Sequence, residues 1–64
     1  MTNWTVIKSV VGENNIREFA SGDLSGRGLY ELARNTDAGG EVRTLLRNRG
    51  VSGARTLARK SVTR

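Results

Sequence analysis

The stretch Trp4-Thr5-Val6-Ile7-Lys8-Ser9-Val10-Val11, closed by Gly12, decides whether this chain is all helical or carries a strand. Thr5, Val6, Ile7, Val10 and Val11 are β-branched, and such residues suit a pleated, half-buried surface. The run therefore reads as a β-strand. The same residues carry a second pattern, because Val6, Ile7, Val10 and Val11 also fall on one stripe of a helix. The strand reading has a structural consequence. A lone strand in an otherwise helical chain must find backbone partners elsewhere: in a second copy, in a partner's sheet, or as an extended arm. Trp4, Val6 and Val10 are then the expected protein interface, with a homodimer or a protein partner pairing along the strand.

Beyond Gly12 the chain is organised by a short repeat. Ile16 opens IREFASG, Leu29 opens LYELARN, Val42 opens VRTLLRN and Ala54 opens ARTLARK, at intervals of 13, 13 and 12 residues. Each copy places apolar residues at relative positions 0, +3 and +4, the stripe of an amphipathic helix. The connectors SGDLSGRG, NTDAGGE and RGVSG carry helix punctuation. Gly22 and Gly50 suit C-terminal caps, and Ser25, Asp37 and Ser52 suit N-caps. Gly39-Gly40 reads as a loose turn or a frayed first helical turn. The Ser25 to Gly28 segment, SGRG, lacks the third glycine of a dinucleotide fingerprint and the Lys-Ser or Lys-Thr of a P-loop, so it reads as a flexible connector. Helices of about two turns are marginal alone and must pack on one another. The expected architecture is mainly α: an N-terminal strand or extended arm followed by four short helices in a small bundle. Its core is expected to hold Ile16, Phe19, Leu29, Leu32, Val42, Leu45, Leu46 and Leu57.

Composition narrows the function. The 64 residues contain no His, Cys or Pro and one each of Met, Trp, Tyr and Phe, with Lys+Arg 11 against Asp+Glu 6. Without His or Cys there is no tetrahedral zinc site, no thiol nucleophile, no disulfide and no imidazole base. The Asp and Glu residues alone are not read as a magnesium or catalytic site, so no enzyme, metal, cofactor or small-molecule substrate is expected. A chain this short buries only about 60% of its unfolded surface, which makes its stability marginal or dependent on a partner. No apolar run suits a signal peptide or membrane span, so the expected setting is cytoplasmic, or inside a virion for an assembly component.

The formal charge of +5 is unevenly distributed. Residues 1–41 hold all six acids against Lys8, Arg17, Arg27 and Arg34, for minus two. Residues 42–64 hold Arg43, Arg47, Arg49, Arg55, Arg59, Lys60 and Arg64 with no acid, for plus seven. The expected organisation is one small domain over 1–64, divided into a strand or arm (1–12), an acidic helical part (13–41) and a basic helical part (42–64). Arg43 and Arg47 lie four apart on one helix, and Arg55 and Arg59 repeat that spacing on the next. No acid answers them at i±3 or i±4, the nearest in sequence being Glu41 near the start of the first helix, so these charges want an outside counterion. Contact with phosphates would provide it, because Arg offers a forked donor and each neutralised phosphate releases a counterion.

The segment LLRNRGVSGARTLARK, Leu45 to Lys60, loosely resembles a generic helix-turn-helix. It departs from that pattern in having Arg49 before the turn glycine and Thr56 where an apolar residue belongs, so a plain helical hairpin is the other reading. The resemblance implies that Gly53, Arg55, Thr56 and Arg59 face a groove. The functional expectation is a non-enzymatic basic protein, a regulator or architectural factor. It would bind the phosphate backbone of nucleic acid, DNA ahead of RNA, through Arg43, Arg47, Arg49, Arg55, Thr56, Arg59, Lys60 and Arg64. The alternative is a structural or interaction protein, either a minor subunit of a virion or ribonucleoprotein or an inhibitor that orders on its target.

Overall fold

A computed structural model describes residues 4–62 as four helices. They are α1 (Trp4–Val11), α2 (Glu13–Ser21), α3 (Gly26–Ala33) and α4 (Ala38–Val62), and no strand occurs among the described residues. The expected N-terminal strand is therefore corrected to a helix. The physical reason is the one that made a strand awkward: a helix satisfies its amides internally, whereas a strand here has nothing to pair with. Ile7 and Val11, four apart, are buried in the core, and Trp4 and Val6 pack against it. Forcing five β-branched residues into a helix costs at most about 0.7 kcal/mol each, mostly less. Burying Ile7 and Val11 returns roughly 1.5–3 kcal/mol apiece, and packing outweighs propensity. With α1 helical, the proposed strand-paired dimer loses its basis. Trp4 and Val6 are half-buried within the fold, while Val10 is 37% exposed.

The repeat locates the core faithfully at one position. Its first residue, Ile16, Leu29, Val42 or Ala54, is fully buried in every copy. The other apolar positions diverge. Phe19 and Leu45 are buried, Leu57 and Leu46 are half-buried, and Leu32 is 45% exposed. Alanines fill much of the remaining interior: Ala20, Ala33, Ala38, Ala54 and Ala58 are all buried. The expected core is thus corrected by losing Leu32 and gaining Ile7, Val11 and these alanines. Small side chains let neighbouring helices approach closely, and α4 packs on all three others, most extensively on α2.

The punctuation falls close to its expected places. Gly22 ends α2 in the left-handed conformation (φ 97°). Its amide donates to the Phe19 carbonyl, and the Asp23 amide to the Glu18 carbonyl, the hydrogen-bond pair of a Schellman motif. Ser25 caps α3, its hydroxyl oxygen accepting from the Gly28 amide at 2.9 Å. The SGRG segment is therefore a cap and first helical turn, not a flexible connector. Thr36, rather than Asp37, holds the start of α4: its hydroxyl donates to the Ala33 carbonyl and accepts from the Ala38 amide. Gly39 and Gly40 belong to the first turn of α4.

Two expected helices, over the Val42 and Ala54 copies, form α4 together. The run is broken only at Gly50, where φ is 73° and ψ is 172°. That conformation is essentially reserved for glycine. Helix resumes at Val51, so no multi-residue turn separates the halves, and the helix-turn-helix resemblance does not extend to its turn. Ser52, expected as an N-cap, lies inside the second half, where its carbonyl accepts the Thr56 hydroxyl at 3.1 Å. Opposite the break sits Gly26. A Cβ there would stand 2.8 Å from Val51 Cγ2 and 3.3 Å from Leu46 Cδ2, so the start of α3 packs directly onto α4 on both sides of Gly50.

Candidate nucleic-acid interface

The basic residues divide into two populations according to what their guanidinium groups find. Arg55 and Arg59, in the second half of α4, face the C-terminal end of α2. Arg55 Nε donates to the Phe19 carbonyl and Nη2 to the Leu24 carbonyl, both at 3.0 Å, and its guanidinium lies 5.1 Å from the centre of the Phe19 ring. Arg59 Nε donates to the Ala20 carbonyl at 3.1 Å. The Phe19 and Ala20 carbonyls lie at the negative end of the α2 dipole, the Leu24 carbonyl belongs to the connector after it, and α2 has no basic residue in its own last turn. The two arginines supply that charge from another helix. The absence of acids around them in sequence does not mean that they lack partners, because backbone carbonyls serve as acceptors. Lys8 acts in a related way at the end of α4, donating to the Ser61 carbonyl at 2.9 Å.

The second population is free. Arg43, Arg47 and Arg49, in the first half of α4, are exposed and have no hydrogen bond or ion pair with any described residue. Arg27, on the first turn of α3, is likewise exposed and without a partner among the described residues. Arg27 and Arg43 line one open concavity together with Tyr30 and Leu46. The close packing at Gly26 creates this arrangement, because it sets the α3 start against Leu46 and so brings Arg27 beside α4. Arg47 follows Arg43 by one helical turn and extends the basic ridge. Two exposed ion pairs occur elsewhere on the helices, Glu31 with Arg34 at 3.2 Å and Glu13 with Arg17 at 2.7 Å.

The expected binding residues are thus not on one surface. Arg49 is six residues beyond Arg43, about 240° around the helix. It lines a different concavity with Trp4, Glu41, Leu45 and Leu57. Thr56 and Lys60 are exposed on the second half of α4. Arg64 lies outside the described residues. Arg27 and Tyr30 were not among the sequence candidates, although their i, i+3 spacing within LYELARN and its connector places them on one helix face.

Among the described residues no three Asp, Glu, His or Cys side chains gather as metal ligands, and no helix is long and apolar enough to cross a membrane. Comparison with protein-family models, with curated proteins and with solved structures yields no match to this chain.

Proposed function

We propose that the chain is a small, non-enzymatic nucleic-acid-binding protein, a regulator or architectural factor, that holds the phosphate backbone through Arg43, Arg47 and Arg27. One observation carries this reading: these guanidinium groups have no acceptor among the described residues, and Arg27 and Arg43 line one concavity whose described lining holds no acid. Arg55 and Arg59 are assigned to holding the fold together, which moves the interface from the end of α4 to its first half and the start of α3. Phosphate contact of this kind orients the chain without reading base sequence.

The test is a fluorescence anisotropy titration of the full chain with labelled duplex DNA at several salt concentrations. Three phosphate contacts predict a log–log salt dependence with a slope of about −3. No binding at about 50 mM salt, or a flat dependence, overturns the proposal.

A further inference from the structure

Resting on that reading, we propose that the Arg27–Tyr30–Arg43–Leu46 concavity takes an unpaired nucleotide, with Tyr30 stacking on the base and the two arginines holding the flanking phosphates, so that single strands are the preferred ligand.

Tyr30 is the chain's one tyrosine, and its placement is particular. Its ring packs partly against the core, which fixes it, and its remaining surface lines the concavity between Arg27 and Arg43. Among the described residues no guanidinium lies over it; the ring contact of this kind is Arg55 on Phe19. The Tyr30 hydroxyl has no hydrogen-bond partner among the described residues. A held aromatic surface with a free face is what a nucleobase stacks on, and every base offers a π-face regardless of its identity.

The rest of the lining separates a nucleotide from a bare anion. Leu46 adds apolar surface beside the ring, which phosphate alone has no use for. No acidic residue lines the concavity, and the neighbouring Glu31 is engaged by Arg34. The site is open rather than enclosed, so a base can enter while its chain continues on both sides, along Arg47 in one direction. A base inside a duplex has both faces covered by its neighbours and cannot stack on Tyr30 without being unpaired, which costs a few kcal/mol.

The experiment compares the full-length protein with its Tyr30→Phe and Tyr30→Leu variants against three labelled probes: an oligothymidylate, a DNA duplex of equal length, and inorganic polyphosphate. Circular dichroism melts confirm that each variant is folded. The wild type is expected to bind the oligothymidylate more tightly than the duplex. Tyr30→Phe keeps the oligothymidylate affinity, and Tyr30→Leu weakens it roughly tenfold while leaving polyphosphate binding unchanged. Arg27→Ala, an exposed position that does not depend on the ring, weakens binding of all three probes. If Tyr30→Leu binds the oligothymidylate as the wild type does, or if Tyr30→Phe loses as much as Tyr30→Leu, stacking is refuted while salt-dependent phosphate binding still stands. If the wild type binds none of the probes, the underlying reading fails as well.

Discussion

The two halves of α4 descend from the same sequence pattern and use it in opposite ways. Arg43 and Arg47 occupy the positions in the Val42 copy that Arg55 and Arg59 occupy in the Ala54 copy. The first pair faces solvent without a partner among the described residues, whereas the second donates three hydrogen bonds to carbonyls of Phe19, Leu24 and Ala20. The difference arises at Gly50, whose backbone redirects the helix so that equivalent faces meet different surroundings. Equivalent residues therefore stand open to solvent in one half and act as a clasp in the other, and the distinction is measurable.

The largest effect is expected at Arg55. Arg55→Ala removes two hydrogen bonds from a charged donor, along with the contact on Phe19, and should lower stability by about 2–4 kcal/mol. In a thermal melt of a chain this size, that is a fall in Tm of roughly 10 °C or more. Arg55→Lys, which retains the charge but not the fork, should recover only part of the loss. Gly50→Ala comes next, at about 1–3 kcal/mol, because an alanine is strained at φ 73°, ψ 172°. Urea denaturation would detect it, and unchanged stability would mean that the two halves do not need this break. Arg59→Ala, with one hydrogen bond lost at a more exposed position, should cost about 1 kcal/mol in the same assay. The smallest change in stability is expected at Arg43→Ala and Arg47→Ala, within about 0.5 kcal/mol of the wild type. Each should instead reduce the steepness of the salt dependence of DNA binding by about 0.9. If Arg47→Ala destabilised the fold as much as Arg55→Ala, the contrast between the halves would be lost.

Much of the architecture was legible because it rests on local chemistry. The buried first position of each repeat follows from helical periodicity, and Gly22 and Ser25 cap where their backbone and hydroxyl chemistry suits them. The N-terminal run was not legible. Ile7 and Val11 satisfy a helix and a strand equally, and the choice lay in the surface they meet on the other helices. Leu32 was misplaced for a similar reason. Positions 0, +3 and +4 form a stripe wider than a small core can cover, and in α3 the burial of Leu29 and Ala33 leaves Leu32 on the flank. The arginines posed a harder problem. An acidic partner leaves a trace in sequence, but a carbonyl at a helix end belongs to any residue type. Nothing in LLRNRGVSGARTLARK says that Arg55 is engaged and Arg43 is not.

The clasp also bears on the order in which the chain is made. Arg55 and Arg59 reach back 36, 31 and 39 residues, and Lys8 waits for the carbonyl of Ser61, 53 residues later. During synthesis α2 emerges with its Schellman bonds available but without the guanidinium donors to the Phe19, Ala20 and Leu24 carbonyls, which come only with the second half of α4. The fold can assemble its first three helices loosely but cannot close until the second half of α4 has emerged, so nascent chains halted before Arg55 should be open and protease-sensitive.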